Sequence, residues 1–374
     1  MATESCPILL FFQILALFHA KTTSRETRIF LTIFYTILAI FTLTIALVYK
    51  EMIFDVRTTL GAILDIIQLA LPIATELIAL TESFRKRPIL GRIWQKFSEI
   101  QEHLEAIPGY SGDIFAKIHR RFLIKFLLFN GGATFIEIFI LIRLREDYPW
   151  LRHRSAAFLP SLFSRSLIFL YILHVDILGG LSKQITEILQ EISKGQKILP
   201  EDRKTIKICW KIHRELWLCE TFLRKVFALS ILGIIASYSI LLTVDFYWNF
   251  KAFFRASTNY VLESSLCSTP FLLTLLPLVF TGEACKKRQK RIFVEILAIA
   301  PKSATMASFG LFLRNFTLSG LHRSTGIGAW EFLNVDLRLL SEIFQTIGIY
   351  LTIFIQFEIT YYTMYSSSYV YVSQ

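Results

Sequence analysis

The chain has 374 residues, of which 54% are apolar and only 18% charged, and its formal net charge is +11. Soluble domains of this size carry about 25% charged residues, so a mean hydropathy of +0.52 excludes a soluble enzyme. In a soluble protein the basic excess would suggest nucleic acid, but here Lys and Arg lie between apolar runs, and no nucleic-acid partner is expected.

Residues 1–28 hold an apolar stretch at 8–17 without a basic region ahead of it or a small-residue cleavage site. They are expected to be a cytoplasmic or interfacial segment and not a signal peptide. A bilayer core about 30 Å thick requires about 20 apolar helical residues, and seven runs meet that length. The first, 29–49, is uncharged between Arg28 and Lys50. The second, 58–81, carries Asp65 and Glu76, which lie three turns apart on one face. The third, 122–142, carries Lys125 and Glu137, and the fourth, 157–181, carries Arg165, His174 and Asp176. The fifth is 226–248, the sixth is 261–281 with Pro270 and Pro277, and the seventh is 340–357. Lys125 and Arg165 are expected to neutralise Asp65 and Glu76, because an unpaired charge at mid-membrane costs roughly 2.5–3.5 kcal/mol. The fold class is therefore all-α: a polytopic membrane domain at 29–357, followed by a short extracellular tail at 358–374.

Orientation follows from the distribution of Lys and Arg. With the N-terminus inside, segments 1–28, 82–121, 182–225 and 282–339 hold 30 of the 40 basic residues, and the outer segments hold 8. The tail has one ionisable side chain, Glu358. The positive charge thus acts as an anchor to the inner leaflet, with membrane lipids as its partner.

The long inner segments have helical periodicity. Leu181, Ile185, Ile188, Leu189 and Ile192 form a stripe that Gly195 ends, and Pro200 with Glu201 and Asp202 restarts a helix. Ile206, Trp210, His213, Leu216 and Trp217 carry the pattern into the fifth span, and 292–299 repeats it. Loops 82–121, 182–225 and 282–339 are accordingly expected to build an intracellular helical anchor, which can also serve as a subunit interface.

Signals for catalysis, metals or cofactors are missing from the sequence. It has no phosphate-binding loop, no His-Glu-x-x-His and no nucleophile elbow. The five cysteines (Cys6, Cys209, Cys219, Cys267, Cys285) have no ligand spacing, and His174 is read as a hydrogen-bonded bundle residue. G-protein-coupled receptors place the N-terminus outside, and neither Asp-Arg-Tyr after the third span nor Asn-Pro-x-x-Tyr in the seventh is present. A transporter or a non-channel membrane scaffold is the alternative function, but no internal repeat supports a transporter.

The most specific stretch is Ile349-Tyr350-Leu351-Thr352-Ile353-Phe354-Ile355-Gln356-Phe357. It resembles the signature of the insect gustatory receptor family: Thr-Tyr, five mostly apolar residues, then Gln-Phe close to the C-terminus. Ile349 stands in place of the Thr, and Thr352 interrupts the apolar five. Phe332-Leu333-Asn334-Val335-Asp336 and Leu339-Leu340 also resemble that family's approach to its last helix. The resemblance implies a ligand-gated, non-selective cation channel in the plasma membrane of chemosensory neurons. It would act as a homo- or hetero-tetramer with related receptors and sense a small-molecule tastant or contact pheromone, non-sugar in class. Its seventh helices would line the pore, with Ile349, Tyr350, Ile353, Gln356 and Phe357 as pore and gate residues. Read from the residues alone, Gln356 suits a polar ring or an interhelical hydrogen bond within one subunit. Tyr171 on the fourth span and Tyr238, Asp245, Phe246 and Trp248 on the fifth are the candidate ligand contacts, in a cavity open to the outside.

Overall fold

A computed structural model describes residues 7–15, 17, 25–48, 59–108, 110, 112, 114–144, 152–254, 258–303, 307–322, 328–329 and 333–372. Apolar runs become helices because lipid cannot satisfy backbone polar groups, so each segment must satisfy its own. After a short helix α1 (Pro7–Ile14) comes α2 (Arg25–Val48), then α3 (Thr59–Arg85) and α4 (Arg87–Glu105). Helix α5 is a continuous run of Ile114–Lys125, a π-helical Phe126–Gly131, Gly132–Phe139 and a π-helical Ile140–Leu144. Helices α6 (Arg152–Lys194), α7 (Pro200–Phe254) and α8 (Thr258–Ile299) follow, the last running into a 3₁₀ turn at Ala300–Ser303. Next are α9 (Ala307–His322), a minimal hairpin of β1 (Gly328–Ala329) and β2 (Leu333–Asn334), and α10 (Leu337–Val372). Helices α3, α5, α6, α7, α8 and α10 are each long and apolar enough to cross a membrane. Helix α2, at 24 residues about 36 Å long, supplies the seventh apolar helix.

Helices α6, α7, α8 and α10 are each longer than a bilayer core is thick. Helix α7 has 55 residues, about 80 Å of helix. The apolar stripe expected from the sequence faces inward, with Leu181, Ile185, Leu189, Ile206 and Leu216 all buried. Gly195 and Pro200 separate α6 from α7 as their chemistry requires, and Asp202 Oδ2 accepts a hydrogen bond from the backbone N–H of Leu199 at 2.8 Å. Helix α4 packs its buried Leu90, Ile93, Phe97, Ile100 and Leu104 against α7, pinned by Lys96 to Glu215 at 3.0 Å. Residues beyond the expected seventh span do not leave the helix: α10 continues from Leu337 to Val372.

Helix α6 is the centre of the bundle. It touches α3, α5, α7 and α8, and 89% of its most apolar stretch is buried, against 22% for α5 and 17% for α10. Helix α1 is embedded as well, with Phe11 and Phe12 edge-on to Phe126 of α5 at 5.3 and 5.8 Å.

The membrane charges pair differently from the expectation. Lys125 Nζ reaches both oxygens of Asp176, at 2.8 and 2.9 Å, and Arg165 pairs with Glu137 and reaches Thr134 Oγ1 at 3.3 Å. Both pairs join α5 to α6, and neither involves Asp65 or Glu76. The reason is geometric: α5 and α6 are neighbours, and each cation meets the carboxylate at its own depth.

Candidate functional site

Two regions carry functional geometry. The first is the uncovered side of α10. Leu339, Ile343 and Ile347 are buried, and further along the same side Leu351 and Phe354 pack on Leu64, Val244 and Tyr247. Glu358 then accepts from Tyr247 Oη at 2.7 Å and meets Lys251 Nζ at 2.9 Å. This side therefore belongs to the chain's own bundle. The opposite side presents Ile349 (63% exposed), Ile353 and Phe357 (65%), together with exposed Gln345, Thr352, Gln356 and Thr360. Tyr350, 51% exposed, flanks it. Thr352 and Thr360 satisfy their hydroxyls on the carbonyls of Gly348 and Gln356, each at 2.8 Å, whereas the Gln356 carboxamide has no partner among the described residues.

Helix α5 is also poorly covered, but its exposed residues differ in kind. Between 122 and 142 they are Leu123, Ile124, Leu127, Leu128, Phe135, Ile138, Phe139, Ile142 and Gly131, all apolar, while its polar Asn130 is buried. Such a surface suits lipid tails. The mixed surface of α10 does not, because a carboxamide in hydrocarbon lacks hydrogen-bond partners.

The second region is a cavity of about 40 Å³ where α3, α5, α6, α7 and α8 meet, in the half of the bundle that the charge bias assigns to the outside. A void of this size holds a few waters. Gln68 and Pro72 of α3, Glu137 of α5, Ser161 of α6 and Phe271 of α8 form its walls. Pro72 has no N–H to give the carbonyl of Gln68; one turn on, Thr75 Oγ1 donates to Pro72 O at 2.8 Å and lies 2.9 Å from Ser164 Oγ. The π-helical turn at Ile140–Leu144 supplies Ile140 and Leu141 to the wall; such turns recur at functional sites. Gln68 Nε2 donates to Asp245 Oδ1 at 2.9 Å. Gln68 Oε1 and Glu137 Oε2 are buried acceptors that receive no hydrogen bond among the described residues.

Of the aromatic and acidic residues expected at a ligand site, Asp245 reaches the cavity through Gln68, and Tyr238 lies behind it, edge-on to Phe271 at 5.0 Å. Trp248 packs on Tyr247 at 5.4 Å with Lys251 Nζ over its ring, and Phe246 packs against the main core. Tyr171 is buried against Phe227 at 5.5 Å, towards the other end of α6 and outside this cavity. His174 holds the Leu170 carbonyl at 2.7 Å among Trp94 and Phe227. Sequence reasoning passed over Gln68 and Ser161 as members of this site; a polar residue beside Pro72 in an apolar run was the available signal.

The comparisons agree with this architecture. Residues 5–361 match the model of the family described as 7tm Chemosensory receptor. The fold is similar to that of the insect olfactory receptor OR5 from Machilis hrabei, with a TM-score of 0.57 and 11% identity over 94% of this chain and 97% of that one. The same receptor in complex with eugenol gives 0.58 at 11% identity, covering 93% of this chain and 97% of that one. Among curated proteins, none matches this sequence.

Proposed function

Because the chain belongs to the 7tm chemosensory receptor family, we propose that it is a ligand-gated, non-selective cation channel of chemosensory neurons that senses tastants or contact pheromones. In this reading four copies, alone or with related receptors, set their α10 helices around one pore, with the N-terminus in the cytoplasm. The observation that carries it is the exposed side of α10, where Gln345, Thr352, Gln356 and Thr360 alternate with Ile349, Ile353 and Phe357. Around an axis, Gln356 becomes a polar ring that assists a hydrated cation, and the apolar collars close the pore by dewetting. The gustatory assignment is supported by the Tyr350 to Phe357 signature. The olfactory receptor of similar fold was solved with eugenol, and a small molecule of that size is the ligand class proposed here.

The ligand would occupy the outer cavity, which must expand from about 40 Å³ to admit it. Two unsatisfied acceptors, Gln68 Oε1 and Glu137 Oε2, favour an apolar molecule bearing a hydroxyl or amine donor, since leaving a buried acceptor unmade costs about 1–3 kcal/mol. The test is whole-cell current in cells expressing the chain, with cysteine placed at 349, 353 or 356. Water-soluble thiol reagents applied from outside should block a ligand-evoked current through at least one of these positions. Ligand-evoked current that none of the three blocks would remove α10 from the pore. Gln68→Leu should raise the half-activating concentration of hydroxylated ligands about tenfold and leave permeation unchanged.

A further inference from the structure

We propose that the cleft between α3 and α7, on the face assigned to the cytoplasm, is a binding site for an acidic phospholipid with a multiply phosphorylated headgroup. The cleft has a volume of about 800 Å³. Arg85 and Lys86 enter it from the end of α3, and Arg224 and Lys225 from α7 at the point where that helix turns apolar. Leu77 and Ile78 on α3 and Ala228 and Leu229 on α7 form the apolar part of its wall, and Thr81, Glu82 and Thr221 complete the lining. Leu229 is 45% exposed.

The carboxylates nearby are already engaged. Glu82 holds Lys86 through one oxygen and, through the other, accepts from the backbone N–H of Ser230 at 2.7 Å and from its hydroxyl. Glu220 takes Arg224 NH2 at 2.5 Å and Gln289 Nε2 at 3.2 Å. Burial pushes the Glu220 carboxyl above its ordinary range against the pull of Arg224 and Gln289, and each of its two oxygens is already engaged. Arg85 and Lys225 are both exposed and have no acidic partner among the described residues. Four cations therefore converge from two helices on one hollow, with charge left over for an anion. Ordinary basic residues at a membrane surface project singly into headgroups. Here the cations crown an apolar slot, the arrangement that accepts a headgroup and the first part of its acyl chain together. A free phosphate would leave Ile78 and Leu229 uncovered.

The experiment uses the full-length chain in neutral detergent and the fluorescence anisotropy of a labelled dioctanoyl phosphatidylinositol bisphosphate. Saturable binding is expected, with inositol trisphosphate competing at least about tenfold less well than unlabelled lipid and dioctanoyl phosphatidylcholine not competing. At about 1 kcal/mol for each basic residue, Arg85→Gln with Lys225→Gln should weaken binding about 30-fold. Ala228→Trp, which fills the slot and keeps every charge, should weaken it at least about tenfold; it carries the test if the double variant fails to give a monodisperse peak. Lys204→Gln with Lys207→Gln, exposed on α7 away from the cleft, should stay within about twofold. Absence of saturable binding, equal loss in the Lys204 and Lys207 variant, or a headgroup that competes as well as the lipid would overturn the site. So would efficient disulfide formation between copies through Lys225→Cys, which would place a second copy in the cleft.

Discussion

Arg165 has a side chain only 1% exposed, in the part of the chain where α6 is most buried, so its charge depends on Glu137. Removing one partner of a buried pair leaves the other uncompensated and costs about 3–5 kcal/mol, whereas replacing both with apolar residues is often neutral. Arg165→Leu should therefore abolish the monodisperse peak of the solubilised protein, and Arg165→Leu with Glu137→Leu should restore most of it. The spacing behind the pairing is in the sequence: Lys125 and Glu137 are twelve residues apart, and Arg165 and Asp176 eleven apart with the signs reversed. Antiparallel neighbours bring such a pattern into register at two depths. What the sequence lacked was which helix neighbours which, a tertiary fact that periodicity does not carry. A second prediction at this scale concerns thiols. Burial pushes Cys209 and Cys219 up to about 12, the latter with help from Glu215, so neither forms a reactive thiolate near neutrality. Maleimide labelling of Cys209 and Cys219 in the folded protein should be near zero and rise on denaturation, as peptide mass mapping would show. That inertness lowers the background for introduced pore cysteines.

At the scale of elements, the approach to α10 is a tight junction. A methyl group on Gly282 of α8 would sit 2.0 Å from the carbonyl oxygen of Val335, and backbone cannot yield as a side chain can. One residue on, Asp336 receives the backbone N–H of Arg338 at 3.0 Å and Lys286 Nζ at 2.6 Å, which caps α10 and ties it to α8. Burial raises the Asp336 carboxyl, but Lys286 and the Arg338 N–H outweigh it, and the group ends below the usual range. A depressed carboxyl contributes stability above its unfolded pKa, about 3.9, and loses it as pH falls through the folded value. The junction should therefore be insensitive to pH around neutrality. Gly282→Ala should cost about 1–3 kcal/mol through overpacking, read as a lower melting temperature and smaller saturating current at matched surface level. The helices on either side of 195–199 were legible because their stripes obey a 3.6-residue period and Gly195 and Pro200 punctuate them. The helix α10 runs on past the apolar run to Val372, since hydropathy marks where lipid ends and not where hydrogen bonding ends. The outer cavity was hidden for a third reason: five helices each contribute only a few residues to it, and no local pattern gathers them.

At the scale of the whole molecule, the orientation rests on the basic bias, and Asn315-Phe316-Thr317 offers an independent check. Asn315 is exposed on α9, so a luminal location would allow glycosylation. The chain should show no endoglycosidase-sensitive shift, and a shift lost in Asn315→Gln would invert the topology. Assembly is tied to the two poorly covered helices. In the proposed tetramer, where helices have no hydrophobic drive to associate in lipid, the helical anchor would hold the copies together and α10 would meet its counterparts at the axis while α5 faced lipid. Gln356 separates that arrangement from four independent chains. On a lipid-facing helix, Gln356→Leu would be neutral or stabilising and would leave permeation untouched. At an axis it removes a ring of four carboxamides, so the tetramer and its surface level should persist while unitary conductance falls several-fold. Gln356→Glu should replace that ring with up to four carboxylates that repel one another, so that the protons leave in separate steps. Reversal potentials should then move towards divalent cations as pH rises, and the shift should fade in acid as the ring protonates. Single-channel recording of the two variants at several pH values measures both effects, and unaltered conductance in both would place Gln356 away from the ion path.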